Sequence, residues 1–173
     1  GTCMRSTAFE PIKQECQAVR NGVGVCSISS FAKYEITGAR AESWLDHLLA
    51  NALPRQGRLA LSPMLNENGK LIGDFTVGRL DDRRFFIFGS GMGEQYHMRW
   101  LEAHLPADAG VKVQAHGMGL LGLSIAGLKA RELLSRLTDD DVSAEAFRFM
   151  DFRQMSLGMI PALVGRVSFT GDL

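Results

Sequence analysis

The chain has 173 residues, 46% of them hydrophobic, which is enough to bury the core of one large unit or two small ones. Its 19 basic and 19 acidic residues give a formal net charge of zero, and this disfavours a nucleic-acid-binding protein, which normally carries a basic excess. The three cysteines fit neither a disulfide framework nor a zinc site, and no apolar run approaches the roughly 18 residues of a membrane span.

Short elements are predicted along the first third of the chain. Residues 1–21 are predicted to be a linker or entry segment. Strands are predicted at 23–28 and 33–37, and in the second Tyr34 and Ile36 alternate with polar neighbours. A helix is predicted at 39–51, because its apolar residues recur every three or four positions and a Leu-Pro pair follows.

The middle of the chain predicts a β-hairpin. Strands at 59–65 and 71–79 are joined by Asn66-Glu67-Asn68-Gly69, and Asn-Gly favours a hairpin because both residues accept the positive φ of a tight turn. The acidic run Asp139-Asp140-Asp141 is predicted to begin a helix and to face water. The other predicted elements are a strand at 84–88, a helix at 94–105, strands at 111–115 and 121–125, a helix at 128–137 and a strand at 160–168.

These elements predict an α+β fold with antiparallel sheets. The order strand, strand, strand, helix, strand, strand, helix over 57–137 indicates a ferredoxin-like subdomain. The flanking segments 22–56 and 138–173 are predicted to form a first, discontinuous subdomain.

Several motifs argue against other chemistries. Gly117-x-Gly119-x-x-Gly122 matches the dinucleotide fingerprint, but a strand is predicted to follow it, so a β-turn is the better interpretation. The run Gly89-Ser90-Gly91-Met92-Gly93 connects a strand to a helix, and it is either a plain connection or a place where a ligand approaches the backbone. The four histidines form no metal-binding pair and are expected at the surface or at the edge of the core. No Gly-x-Ser-x-Gly elbow supports a serine hydrolase.

Asp74 is the candidate working residue. Strand alternation places Asp74 and Thr76 on one face, with Phe75 and Val77 on the other. A carboxylate in this otherwise apolar stretch is costly unless it has a partner. The pattern also leaves open an edge-strand carboxylate that simply faces water.

Four runs of sequence resemble the glycine cleavage T-protein (aminomethyltransferase) family. They are Val23-Gly24-Val25, Ser29-Ser30-Phe31-Ala32-Lys33-Tyr34-Glu35-Ile36-Thr37-Gly38, Ser62-Pro63-Met64-Leu65-Asn66-Glu67-Asn68-Gly69 and Val167-Ser168-Phe169-Thr170-Gly171. Two further features resemble the folate-binding half of dimethylglycine and sarcosine dehydrogenases. These are Gly89-Ser90-Gly91 followed by Arg99-Trp100, and the opening Arg5-Ser6 with Phe9-Glu10-Pro11.

The resemblance implies a three-lobed fold around a central hole that holds tetrahydrofolate, to which the family transfers a one-carbon unit from an amine. Asp74 matches the second acid of the family's acid pair, beside the reacting nitrogens, and Gly73 replaces the first. Met64 matches a pocket-lining residue, and Phe169 stands where many relatives hold folate with a tyrosine. The predicted site is therefore Asp74 as the catalytic residue, with Met64, Thr76, Ser90 and Phe169 as folate-binding residues.

Departures from the family pattern limit this prediction. Ser27 stands where the family usually has an aspartate, and the family's folate-binding glutamate and third lobe would follow residue 173. We therefore expect a fragment of an FAD-linked N-methyl-amine dehydrogenase whose FAD belongs to a parent domain or subunit absent from this chain. The alternatives are a non-catalytic folate-binding or assembly protein of the same fold, or a folate-dependent demethylase. The expected location is the bacterial cytoplasm or the mitochondrial matrix.

Overall fold

The chain folds around a five-stranded antiparallel sheet, and the computed structural model describes residues 6–168. The helices are α1 (Phe9–Asn21), α2 (Ala41–Leu48), α3 (Glu94–Ala103) and α4 (Ala130–Ser135). The strands are β1 (Gly24–Ser27), β2 (Ala32–Thr37), β3 (Arg58–Leu65), β4 (Leu71–Asp81), β5 (Arg84–Gly89), β6 (Lys112–Ala115), β7 (Leu123–Ala126), β8 (Phe152–Leu157) and β9 (Ile160–Gly165).

The order of strands in the central sheet is β3-β4-β5-β2-β6, and every pairing in it is antiparallel. Two further pairs form separate ribbons, β1 with β7 and β8 with β9. The predicted α+β class with antiparallel sheets is therefore confirmed.

The two faces of the central sheet are covered differently. One face packs against α2 and α3 and contains the largest apolar cluster, which includes Tyr34, Phe75, Val77 and Leu101. On the other face Phe86 packs with Phe152 of β8, so the β8–β9 ribbon covers only part of it. We call the first the helix face and the second the open face.

The predicted hairpin between β3 and β4 is confirmed. Gly69 has a φ of 70°, and the side chain of Asn66 accepts hydrogen bonds from the backbone N–H groups of Asn68 and Lys70 at 3.0 and 2.9 Å. The Asx-type contacts and the positive φ explain why this sequence forms the turn.

Three local predictions differ from the structure. Helix α1 lies within the predicted linker 1–21; its Pro11 is in the first turn, where a missing N–H costs nothing. Strand β8 was not predicted, because Arg153 and Gln154 interrupt its apolar alternation. The acidic run does not begin a helix: Asp141 accepts a hydrogen bond from the Ser143 N–H at 2.8 Å, and turns follow.

The division into subdomains 22–56 plus 138–173 and 57–137 stays a prediction. Three strand pairings cross its boundary, because β1 pairs with β7 and β2 pairs with both β5 and β6. The order of strands and helices predicted within 57–137 matches the order observed from β3 to α4.

Candidate functional site

Asp74 lies in β4 with its side chain on the open face. It is exposed, whereas Phe75 is 2% exposed and Val77 is fully buried on the helix face. The alternation predicted from the sequence is therefore confirmed. Within residues 6–168 the Asp74 carboxylate has no hydrogen bond or ion pair, so it is available to a ligand.

A β-bulge just before Asp74 sets this orientation. Met64 pairs with Gly73 and Leu65 pairs with Leu71, so Ile72 has no opposite residue in β3. Ile72 and Gly73 are consequently both buried, although they are consecutive in a strand. The extra residue changes the phase of the strand, and Ile72 points to the helix face while Asp74 points to the open face.

Thr76 lies near Asp74 on the open face, and extending the register of β4 and β5 places Ser90 there as well. Thr76 is two residues along β4 and is directly opposite Phe88 of β5. If the same register continues by two residues, Ser90 comes opposite Asp74. Ser90 is exposed and follows the last residue of β5. Opposite side chains in an antiparallel pair have Cβ atoms roughly 5 Å apart, so these groups can contact one ligand.

Phe88 is a site residue that the sequence did not suggest. Its half-buried ring lies nearly parallel to that of Phe86, with centroids 6.1 Å apart, and meets Phe152 edge-on at the same distance. The signal was present in the alternation of β5, where positions 86 and 88 face away from Phe85 and Ile87. Recognising it required knowledge that β5 pairs with β4.

The predicted site residue Met64 is not brought to Asp74. Met64 pairs with Gly73 and points to the helix face, where its side chain is 1% exposed within the main core. Phe169 lies outside the described residues. Their assignment to folate binding stays a prediction.

A buried polar cluster lies on the helix side of β4. His97 of α3 is 5% exposed, and its Nδ1 is 3.0 Å from the hydroxyl of Tyr34. The ring of Phe75 contacts it edge-on, with centroids 4.9 Å apart. Burial lowers the pKa of His97, and the backbone of Ile72 partly opposes this effect. Burial also raises the pKa of Tyr34, with a smaller contribution from Glu94. His97 is thus a core residue, not the surface or edge residue expected.

An ion-pair network lies further along the open face. The Glu35 carboxylate accepts hydrogen bonds from Arg84 Nε at 2.6 Å and pairs with His116 Nε2 at 2.9 Å. Burial raises the pKa of Glu35, but these two partners outweigh it and the pKa is lowered. Phe86 separates the network from Phe88, since it stacks on His116 with centroids 6.0 Å apart.

The glycine-rich motifs have structural explanations. Gly117–Gly119 forms a short 3-10 turn that leads to β7, so the β-turn interpretation is confirmed. In the run after β5, a Cβ on Gly91 would lie 1.7 Å from the carbonyl oxygen of Ser30, so only glycine fits where the two loops meet. In the part of the chain that the structure describes, no group of three or more His, Cys, Asp or Glu side chains is arranged to hold a metal ion.

The side chains around Asp74 indicate which kind of ligand the open face can bind. A free carboxylate, two hydroxyls and an aromatic ring on one sheet face suit a small polar ligand with a flat ring. A carboxylate so placed can accept a proton from such a ligand or stabilise positive charge on it.

The chain belongs to the family described as GCVT N-terminal domain, whose profile matches residues 3–173. It is 34% identical to the mitochondrial dimethylglycine dehydrogenase of Mus musculus over 172 residues. This alignment covers 98% of this chain and 20% of that protein. It is 31% identical over 171 residues to the alpha subunit of sarcosine oxidase from Rhizobium meliloti, covering 95% of this chain and 17% of that protein.

The same similarity extends to aminomethyltransferases. The chain is 28% identical over 174 residues to the aminomethyltransferase of Chlorobium phaeovibrioides, covering 99% of this chain and 47% of the relative. The chain thus spans less than half the length of these relatives. Its fold is similar to the crystal structure of glycine cleavage system aminomethyltransferase T from Bartonella henselae, with a TM-score of 0.75, 22% identity and coverage of 92% of this chain and 42% of that one. Among residues 6–168, no helix combines the length and the apolar composition that crossing a membrane requires.

Proposed function

We propose that this chain is a tetrahydrofolate-binding module for one-carbon transfer, with Asp74 as its catalytic residue. One observation carries the proposal: the Asp74 carboxylate is exposed and unpartnered among the described residues, on the same sheet face as Thr76 and Phe88. The chain's membership of an aminomethyltransferase-like family supports this choice of ligand.

The residues present fit tetrahydrofolate. This molecule has a flat, polar ring system and two nitrogens that take up the one-carbon unit. The ring of Phe88 offers it an apolar contact, and the hydroxyls of Thr76 and Ser90 can donate and accept hydrogen bonds. Phe169 is a further folate-binding residue in this proposal, and Met64 supports the site only from the core behind β4.

Asp74 would act as a general base. As the two folate nitrogens bond to the one-carbon unit, each loses a proton, and the bond from carbon to the amine breaks with its electron pair on the amine nitrogen, which takes up one proton. The other proton is released from the folate nitrogen. A carboxylate at hydrogen-bond distance takes up this proton and stabilises the cationic adduct that precedes its release. Thr76, two residues away on the same face, orients the ligand or the carboxylate.

The amine donor would come from a neighbouring oxidising unit. Relatives of this chain include a dimethylglycine dehydrogenase and the alpha subunit of a sarcosine oxidase. We propose that this module accepts the one-carbon unit from an N-methyl-amine that is oxidised by an FAD-containing domain or subunit. Its location would be the bacterial cytoplasm or the mitochondrial matrix.

The proposal is tested by Asp74→Asn in the intact protein. This change keeps the shape of the side chain and removes its charge, so we expect methylenetetrahydrofolate formation to fall about 100-fold or more while amine oxidation continues. The measurement compares methylenetetrahydrofolate with free formaldehyde after oxidation of dimethylglycine or sarcosine.

The matched control is Asp46→Asn, which removes an exposed carboxylate from α2 on the other side of the sheet. It should leave the product ratio unchanged. An unchanged methylenetetrahydrofolate yield in Asp74→Asn would overturn the catalytic assignment. Calorimetric titration of the wild type with tetrahydrofolate tests binding separately from transfer.

A further inference from the structure

The bulge before Asp74 leaves part of β4 outside the sheet ladder. Ile72 has no opposite residue in β3, so its backbone lacks the regular pairing of its neighbours. A bulged residue is left out of the ladder, so contacts from outside the strand can stabilise its position.

His97 is in position to make such a contact. A Cβ built on Gly73 would lie 2.9 Å from His97 Nε2, so this edge of the imidazole lies against the backbone that follows Ile72. A Cβ on Gly93 would lie 2.6 Å from His97 Cε1. Glycines from two different elements thus make room for one imidazole ring.

We propose that His97 is a positioning residue that holds the bulge at Ile72 through Nε2 and so keeps the Asp74 carboxylate on the open face. The inference rests on the proposed function of Asp74 and adds how that carboxylate is aimed. His97 itself lies on the opposite face and touches no reacting group.

The hydrogen bonds of the neutral ring agree with this role. With its proton on Nε2, His97 can donate toward the Ile72 carbonyl while Nδ1 accepts from the Tyr34 hydroxyl at 3.0 Å. The titratable side chains in contact with this ring are Tyr34 of β2 and Tyr96 of its own helix, with ring centroids 6.1 and 6.0 Å away, and the Tyr34 hydroxyl is also 3.3 Å from the Glu94 carbonyl oxygen.

Two substitutions separate the two edges of the ring. The amide of His97→Gln reaches about as far as Nε2 and can still donate toward Ile72, whereas that of His97→Asn ends near Nδ1 and can reach only Tyr34. Both replace a buried imidazole with a buried amide of similar polarity, so they serve as matched controls for each other.

The test measures one-carbon transfer to tetrahydrofolate by the intact protein at temperatures where each variant is folded. We expect His97→Asn to lower the kcat of transfer about tenfold or more with little change in KM for tetrahydrofolate, and His97→Gln to stay within about threefold of the wild type. Hydrogen exchange should be faster at the Gly73 and Asp74 amides in His97→Asn than in His97→Gln.

Equal behaviour of the two variants in both measurements, or the reverse order, would overturn the proposal and leave His97 as a packing residue. If the wild type transfers no carbon to folate, the proposed function fails. The exchange of the Gly73 and Asp74 amides then still decides whether Nε2 holds the bulge.

Discussion

Gly73 lies between the ring of Phe75 and the imidazole of His97. A Cβ at this position would stand 2.5 Å from Phe75 Cζ and 2.9 Å from His97 Nε2. Both rings are buried, so neither can move away freely.

We expect Gly73→Ala to lower the free energy of unfolding by about 1–3 kcal/mol, because the added methyl group overpacks a full region of the core. Urea unfolding followed by fluorescence measures the change. Gly119→Ala is the control, since nothing lies within 4 Å of a Cβ there. Equal midpoints for the two variants would show that the core yields to the extra methyl.

His97 should make stability depend on pH. Burial lowers its pKa in the folded chain, so between that value and the ordinary pKa of about 6.5 the unfolded chain binds the proton more readily. The contribution of His97 is complete above about pH 6.5 and is lost as the pH falls through the folded-state pKa.

We therefore expect the free energy of unfolding to fall between pH 7.5 and 5.5, with a shallower slope in His97→Gln. Urea titrations at several pH values give the slope, and His47→Gln, which removes an exposed imidazole, is the control. A slope that is the same in His97→Gln and the wild type would contradict this account.

The alternation of apolar and polar residues alone predicted which side chains of β4 lie on each face of the sheet. Asp74 and Thr76 were correctly separated from Phe75 and Val77, because a strand has a period of two. The bulge at Ile72 was not predictable, since Ile-Gly reads equally well in a regular strand. The burial of His97 was not predicted, because the spacing of apolar residues in the helix allows either Tyr96 or His97 at the buried position.

At the scale of elements, Asp151 joins β3 to the β8–β9 ribbon. Its side chain is 3% exposed and accepts hydrogen bonds from Arg58, from the Arg148 N–H at 2.7 Å and from Arg153 at 3.1 Å. Burial raises the pKa of Asp151, but the hydrogen bonds from Arg148 and Arg58 outweigh it, so the pKa is lowered.

Asp151→Asn should lower the free energy of unfolding by about 3 kcal/mol at pH 7, since it leaves buried donors without their charged acceptor. Because the folded-state pKa is lowered, the wild-type advantage is present above the ordinary pKa of 3.8 and is lost as the pH falls through the folded value. Thermal unfolding at pH 7 measures the loss. Asp139→Asn, at an exposed position, should change little.

Local signals predicted elements better than they predicted pairings. The Asn-Gly turn determined that β3 pairs with β4, because both strands and the turn lie within one short stretch. The position of β2 between β5 and β6 depends on contacts between residues far apart in sequence. Helix α1 was not predicted although Phe9, Ile12, Cys16 and Val19 recur at helical spacing, and none of its residues is buried in the fold.

At the scale of the whole molecule, the apolar cores are unequal. The cluster between the central sheet and helices α2 and α3 contains most of the fully buried side chains, whereas those around Phe152 and Phe147 are smaller. The β1–β7 ribbon exposes Val25 by 54% and Leu123 by 66%.

Hydrogen exchange should follow this difference in burial. We expect the amides of β2 and β5 to be protected longest, and those of α1, β1 and β7 to exchange first, because local opening is easiest where few apolar contacts must be broken. Exchange followed by mass spectrometry resolves these segments. Uniform protection across all of them would indicate a single cooperative unit.

The glycine at position 73 also limits how this site can be redesigned. The resemblance to the T-protein family places an acid where this chain has Gly73, and the first atom of any side chain there would meet the Phe75 ring as well as His97 Nε2. A side chain at position 73 would thus occupy space that both rings fill. Restoring a pair of acids would require compensating changes at positions 75 and 97, so the three positions must be exchanged together.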